Sequence, residues 1–403
     1  MTRTRQVLIK GLEGIRRLSQ LWLRLRGQTP QGLAAQRVVS GAAWAEYCDT
    51  LKAAGAALQF PGTPGDAFNQ AEGYRYLSRL VRAGLEGFLE DADPQAPVLK
   101  RVVHETVKMG ADNPDNYYQN AAISGACEYR IRGNRGTVHY LAFGTQAGHY
   151  GQGGGMPPTG FLEGSQLVTA ENGDFEIAVS CAPRPGNWLP MQPQTGLLIV
   201  RQTFRDRRRE QLASLRIERV DGPHQPRPLT PEQLDEGLRN AGTLVAGASL
   251  LFAKWARDFQ AHSNQLPRFD QEVSNRAGGD PNIAYYHSHW RLGPDEALVI
   301  EVTPPRCEFW NFQLNNYWME SLDYRYFPIH RNQHSAVAAA DGSVRLIVAH
   351  RDPGLPNWIS TVGHREGTMC FRWVRAEAHP VPRTRVVAYA DLAALAATAS
   401  KES

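Results

Sequence analysis

Apolar positions change their spacing about a quarter of the way along the chain. Up to residue 110 they recur at three- and four-residue steps, the period of a helix face. Within residues 1–26, Leu8, Leu12, Ile15, Leu18 and Trp22 form such a stripe, surrounded by Arg3, Arg5, Lys10, Arg16, Arg17, Arg24 and Arg26 against one acid, Glu13. This predicts a basic amphipathic helix, suited either to an anionic membrane surface or to packing on its own domain or a partner subunit. Gly11 and Gly14 weaken it, each costing about 1 kcal/mol relative to Ala. Trp44, Tyr47, Leu51 and Leu58 predict a second helical face. Tyr74, Leu77, Leu80 and Leu85 predict a third, within 71–89, and Pro61, Pro64, Pro94 and Pro97 punctuate the segment.

Beyond residue 110 the pattern becomes short β-branched and aromatic runs between turn residues, as in Tyr129-Arg-Ile131, His139-Tyr-Leu-Ala-Phe143 and Leu298-Val-Ile-Glu-Val302. These runs repeat. Pro114 and Pro281 head similar segments, Asn172-Gly173 matches Asp341-Gly342, Asn187-Trp188 matches Asn357-Trp358, and Arg201 matches Arg372, at offsets of 167, 169, 170 and 171. Four ordered matches at a slowly growing offset indicate a duplicated domain with small loop insertions, because the period is far too long for a solenoid unit. Between the copies, Thr230-Pro231-Glu232-Gln233 carries an N-cap, a proline at the first helical position and a capping-box Gln. Leu234, Leu238, Leu244, Leu251, Trp255 and Phe259 supply the apolar face, and Pro267 lies beyond its end.

The expected fold is mainly β: duplicated antiparallel jelly-roll-like sandwiches with an N-terminal helical region and a helix between the repeats. The expected divisions are a helical region over 1–110, a first sandwich over 111–220, linker and helix over 221–270, a second sandwich over 271–390 and a tail over 391–403.

Composition constrains the partners. The chain has 403 residues, 42% hydrophobic and 21% charged, which excludes wholesale disorder and leaves ample chain for a large core. A net charge of +4 is too balanced to indicate nucleic-acid binding, and the preference for 38 Arg over 6 Lys reads first as genomic base composition. Cys48, Cys127, Cys181, Cys307 and Cys370 are odd in number and widely spaced, which argues against a disulfide framework and for a reducing cytoplasm. No apolar run is long enough to span a membrane, and the Arg-broken N-terminus does not read as a signal peptide. The expected location is cytoplasmic, with peripheral contact at the inner face of the membrane through the basic helix.

Three motifs carry a family resemblance: Asn113-Pro-Asp-Asn-Tyr117; Trp318-Met-Glu-Ser-Leu-Asp-Tyr324; and Asp352-Pro-Gly-Leu-Pro-Asn-Trp358, followed by Gly363-His364 and Arg372-Trp373. With them, about residues 40 to 375 resemble the domain-of-unknown-function 1214 family, which often accompanies the related 1254 family. The resemblance implies paired jelly-roll sandwiches, often assembled as homo-oligomers. It implies no reaction, so function is argued from the residues.

The duplication offers a control: residues shared by both copies serve the fold, and residues present once are free for function. By this test the Asn-Trp pairs are structural, with the indole filling a core, and Arg201 and Arg372 close strand ends on carboxylates. Specific to the second copy are Asn311, Gln313 and Asn315, which strand alternation places on one face opposite Trp310, Phe312 and Leu314. Three amides can read a hydroxylated ligand, or form a buried network between the sandwiches. Trp318, Tyr324 and Arg325 join them as substrate-binding candidates. Glu320, Asp323 and His364 are the candidate acid, base and proton carrier, although Asp323 and Arg325 also fit a plain ion pair. His287 and His289 share a strand face, but no carboxylate follows at the spacing a cupin-like metal site would want, so no metal is assigned. There is no Walker A loop, G-x-S-x-G elbow or H-E-x-x-H motif. Gly151 and Gly153-Gly154-Gly155 read as a flexible loop over a cleft. The expected function is a cofactor-independent hydrolase or lyase acting on a sugar-like or terpenoid/steroid-like hydroxylated small molecule in the second sandwich. The alternative is a non-catalytic ligand-binding or oligomeric assembly protein.

Deletion of residues 1–26 is expected to leave soluble, folded protein and to remove any salt-sensitive binding to anionic liposomes. Binding unchanged by salt would reject the membrane role of this segment.

Overall fold

The computed structural model describes residues 29–149, 155–220, 222, 225–226 and 228–394. The basic stripe of residues 1–26 and most of the glycine-rich loop therefore lie outside the described residues.

Among the described residues three α-helices come first. α1 (Pro30–Val39) starts at Thr29, whose hydroxyl accepts the Gly32 N–H at 3.0 Å, with proline in the first helical turn. α2 (Ala42–Ala54) follows Gly41, and α3 (Ala67–Leu85) starts at Asp66, whose carboxylate accepts the Asn69 N–H at 3.1 Å. The buried stripe of α3 runs through Asn69, Gly73, Tyr76, Leu80 and Ala83. Tyr74, predicted on the packed face, lies on the solvent side of that stripe, as does Trp44 of α2.

Eight strands follow: β1 (Asn116–Ala122), β2 (Tyr129–Asn134), β3 (Tyr140–Ala147), β4 (Pro158–Glu163), β5 (Asp174–Ser180), β6 (Trp188–Pro190), β7 (Thr195–Thr203) and β8 (Ser214–Arg219). They form two sheets, β1-β7-β3-β4 and β6-β5-β2-β8. The long helix α4 (Pro231–Phe259) comes next, with the capping box of Thr230 and Gln233 that its sequence predicts, and then the short α5 (Gln271–Arg276). Eight further strands repeat the pattern: β9 (Ile283–Arg291), β10 (Glu296–Val302), β11 (Phe309–Leu314), β12 (His330–Asn332), β13 (Val344–Ala349), β14 (Trp358–Ser360), β15 (Glu366–Val374) and β16 (Arg383–Ala388). Their sheets are β9-β15-β11-β12 and β14-β13-β10-β16, the same order shifted by eight strands. The duplication is thus complete at the level of topology. The expected all-antiparallel pairing holds except at one place in each copy, where β6 runs parallel to β5 and β14 parallel to β13.

The shared Asn-Trp pairs show how closely the copies correspond. The Asn187 side-chain amide donates to Val168 O and Glu176 O while its oxygen accepts the Val168 N–H; Asn357 repeats all three bonds with Val337 and Arg345. The indole N–H of Trp188 donates to Ser180 O and that of Trp358 to Ala349 O. Both indoles are half-buried at the parallel edge, Trp358 against a small core of Ala297, Val299, Ile347, Ala349 and Leu392.

The cores belong to other residues. In the first sandwich Ile131, Phe143, Ile177, Leu198 and Val200 pack between the sheets; in the second Trp290, Trp310, Phe312, Phe371 and Trp373 do so, with Trp310 stacked on Phe371 at 5.7 Å. A third core lies where α3 and α4 cover the outer face of β9 and β15, through Tyr76, Leu80, Phe252, Phe259 and Trp318. Gly237 lets α4 pack closely on the segment that follows α3: a Cβ there would stand 2.4 Å from Phe88 O.

Replacing Asn357 with Ala should cost about 3 kcal/mol, because two backbone carbonyls and one N–H lose their partner in a buried site. The same change at the half-exposed Asn187 should cost less, since water replaces the lost bonds. Urea midpoints at constant m-value read the difference, and equal costs would contradict it.

Candidate functional site

Each copy opens its inner sheet with the same turn. The Asn113 side-chain oxygen accepts the Asp115 N–H at 3.0 Å, and the Asp280 side-chain oxygen accepts the Asn282 N–H at 2.9 Å, with proline between them in both cases. Five residues on, the Tyr118 and Tyr285 hydroxyls accept the Asn113 and Asp280 N–H groups at 3.1 and 3.2 Å. The structural equivalent of Tyr118 is therefore Tyr285. Strand alternation then places Asn116, Tyr118 and Asn120 of β1, and Ile283, Tyr285 and His287 of β9, on walls of one pocket.

That pocket encloses about 230 Å³ where the two inner sheets meet under α4. Leu197, Ile199, Leu244, Phe252, Trp255 and Met156 make much of it apolar. Arg201 and Arg372 also line it, each paired across its sheet with the equivalent tyrosine: Arg201 opposite Tyr118 and Arg372 opposite Tyr285. The arginines are 7% and 3% exposed. Neither has a carboxylate within 4.0 Å among the described residues, contrary to the expectation that they close strand ends on carboxylates.

The two guanidiniums are held differently. Arg372 donates to Gln313 Oε1 at 2.6 Å, Asn311 Oδ1 at 3.3 Å and Ala111 O. Among the described residues Arg201 donates only to Gly278 O, at 2.6 Å. The asymmetry has a plain cause. Register places Asn311 beside Arg372, and the position beside Arg201 is Ala142.

The second-copy amides thus form an internal network. Asn311 Nδ2 donates to Asn113 Oδ1 at 2.6 Å and to Asp115 Oδ2 at 2.9 Å. Gln313 Nε2 reaches Asp112 O at 2.8 Å and Asn315 Oδ1 at 2.6 Å, and Asn315 Nδ2 reaches Thr368 Oγ1 at 3.3 Å. All three amides are fully buried, and none of them lines the pocket. They join the halves and hold Arg372.

The remaining candidates do not converge on the pocket. Glu320 is buried against Arg79 at 2.6 Å and Asn316 at 2.8 Å. Asp323 and Arg325 form the two-bond ion pair that their spacing also allowed, at 2.9 and 2.7 Å, on the surface. His364 donates Nδ1–H to Thr361 O at 3.1 Å, with its ring centroid 4.7 Å from that of Phe68. Trp318 is core, its indole N–H on Asn69 O at 3.1 Å, and Tyr324 lies under the Lys108 ammonium at 4.9 Å.

His287 does reach the pocket, but in an aromatic setting. Its ring stacks between Phe259 and Tyr285, 5.7 and 5.5 Å away, with Phe269 edge-on at 5.2 Å. Burial, helped by Arg372, lowers its pKa to about 3, so the imidazole is neutral. His149 shares the pocket wall, and burial lowers its pKa to about 4. His289 turns both ring nitrogens to protein groups, Ser263 Oγ at 2.9 Å and Glu366 Oε2 at 3.3 Å. Among the described residues no cluster of three His, Cys, Asp or Glu is placed to hold a metal. An open groove of about 690 Å³ also borders β8, between Gln95–Leu99 and Leu215–Arg219, without a comparable set of convergent polar groups.

Sequence reasoning missed Arg201, Tyr118, Tyr285 and Arg372 because both copies share them. The available signal was a charged residue in the middle of an apolar strand, as in Leu-Leu-Ile-Val-Arg201 and Met-Cys-Phe-Arg372.

A family described as protein of unknown function (DUF1214) matches residues 294–378, from β10 to just beyond β15. The crystal structure of an uncharacterized protein from Burkholderia cenocepacia is 54% identical, covers 88% of this chain and 99% of its own, and has a TM-score of 0.87. The VPA0106 protein from Vibrio parahaemolyticus is 11% identical over 78% of this chain and 98% of its own, with a TM-score of 0.47. No curated protein matches the chain. No helix among the described residues is long and apolar enough to cross a membrane.

The depressed histidine pKa values set a pH dependence. An unfolded chain binds protons at His287 below its ordinary pKa of 6.5, and the folded chain does so only near 3. Its contribution is therefore complete above pH 6.5 and is lost as pH falls toward 3. By pH 5 this amounts to about 2 kcal/mol. Urea midpoints at pH 7.5 and 5.0 should show His287→Phe losing about that much less than the parent on acidification. An unchanged pH dependence would mean that His287 is protonated in the fold.

Proposed function

The chain belongs to the DUF1214 family, whose description assigns no reaction, and we propose from the pocket itself that it binds a small, largely apolar molecule between its two sandwiches. The observation that carries this reading is a pocket of about 230 Å³ with apolar walls and a few convergent polar groups, at the junction of two halves. A cavity of about 150 Å³ accepts benzene, so this one has room for about ten non-hydrogen atoms. Burying such a molecule removes apolar surface from water at about 25 cal/mol per Å², and the sandwiches on either side supply a rigid frame.

Binding rather than hydrolysis or elimination is the better-supported reading. The side chains that would supply acid and base, Glu320, Asp323 and His364, are engaged with Arg79, Arg325 and Thr361, and none lines the pocket. Of the titratable groups that do line it, His287 and His149 are neutral and Asp112 accepts from Ser321.

Trp255 lines the pocket and reports occupancy. Six- to ten-carbon alcohols and acids should shift its emission, and Trp255→Phe should lose that response. The double variant Leu197→Phe/Ile199→Phe narrows the pocket at a cost of about 1–3 kcal/mol, and should stay folded while binding none of them. If no compound of either class binds the parent, or if the filled variant binds as well as the parent, the pocket is not the site.

A further inference from the structure

The pocket wall carries Asp112, Asn113, Asn116 and Asn120, yet three of its groups, Arg201, Tyr118 and Tyr285, keep donors that find no acceptor among the described residues. Arg201 carries five N–H groups and uses one, on Gly278 O. Tyr118 and Tyr285 each accept a backbone N–H, which leaves each phenolic proton to give, and neither proton has an acceptor among the described residues. Burial raises both phenol pKa values, so both stay protonated. These groups are close to one another: Arg372 lies over the Tyr285 ring, 5.8 Å from its centroid, and the fields of both arginines act on both phenols. A protein interior does not normally leave so many donors without an acceptor.

The nearest charges do not supply those acceptors. Asp112 is taken up by Ser321 and the field of Lys108, which also lies in the field of Glu320. Asp280 lies in the field of Arg201, but its bonds come from Tyr140 at 3.3 Å and the Asn282 N–H, and it stands beyond ion-pair distance of the guanidinium. Asp115 has its own partners in His330 and Arg207. A buried guanidinium with four N–H groups lacking acceptors is costly in the empty protein, and an anion that supplies acceptors would relieve that cost.

We infer that the pocket's occupant is a monocarboxylate of about ten non-hydrogen atoms, its carboxylate received by Arg201 and the hydroxyls of Tyr118 and Tyr285 and its apolar body laid against Leu244, Phe252 and Trp255. This rests on the pocket reading above and adds the headgroup to it. A carboxylate is acceptor-only and matches the planar fork of a guanidinium. Arg372, fixed by Asn311, Gln313 and Ala111, contributes field and shape, whereas Arg201 retains the free N–H groups for direct contact.

Calorimetric titration of the full chain with octanoate, octan-1-ol and octyl phosphate tests this. Octanoate should bind about thirtyfold more tightly than octan-1-ol, the worth of hydrogen bonds to a charged group, and more tightly than octyl phosphate. Arg201→Met should remove that preference, bringing octanoate to the affinity of octan-1-ol. Arg201→Lys, which keeps the charge but not the fork, should lose about tenfold toward octanoate and serves if the methionine variant does not fold. Equal affinity for octanoate and octan-1-ol, insensitive to Arg201, overturns the carboxylate while the pocket reading stands. Tighter binding of octyl phosphate overturns it in favour of a dianion. Failure of both octanoate and octan-1-ol to bind overturns the pocket reading and the carboxylate together. Collapse of both Arg201 variants assigns that residue to the fold and overturns its role as reader.

Discussion

A guanidinium group at the meeting of the two halves sets the architecture around it. Arg372 projects from the middle of β15 toward the first copy and donates across the boundary to Ala111 O. Its other bonds go to Gln313 and Asn311, and those amides reach Asp112 O, Asn113 and Asp115 of the first copy. A buried cation tolerates little variation in its surroundings, because each lost acceptor leaves a desolvated donor. The segment from 111 to 116 is therefore held against β11 by a network in which most partners are themselves buried. The pocket beside it takes its shape from that constraint.

Much of the fold was legible because it depends on local pattern. The capping box at Thr230, the proline punctuation, the change of period after residue 110 and the matched Asn-Trp segments each have a short-range physical cause that one sequence displays. The strand alternation around Asn311 was also legible: Trp310, Phe312 and Leu314 do face the core, and the amides do face away from it. The parallel pairing of β6 and β14 was not, since a strand of three residues carries no signal for its direction. Nor was the helical stripe through Tyr76 rather than Tyr74, because both are aromatic and only the partner surface chooses between them.

The site was less legible, for a reason that lies in the duplication. Treating shared residues as scaffold assumes that function breaks symmetry. Here the pocket lies where corresponding strands of both copies meet, so Tyr118 with Arg201 and Tyr285 with Arg372 belong to it together. The residues unique to the second copy, Asn311 and Gln313, instead support one of the shared arginines. What lies far apart in sequence and near in space, such as Gly278 under Arg201, leaves no trace in spacing.

A chamber walled by corresponding strands of two copies presents an asymmetric guest with a choice of two mirrored-end poses, head toward either copy. Were the walls identical, the poses would be isoenergetic and any bound molecule would be a mixture of both. Drift between the copies has removed that degeneracy. Asn116 and Asn120 on one wall stand opposite Ile283 and His287 on the other, so one end is richer in amides and the other is aliphatic and aromatic. One guanidinium is held by three acceptors and the other by one. Divergence of the halves thereby gives the chamber two unlike ends, which would orient a guest in a way that a perfect repeat could not.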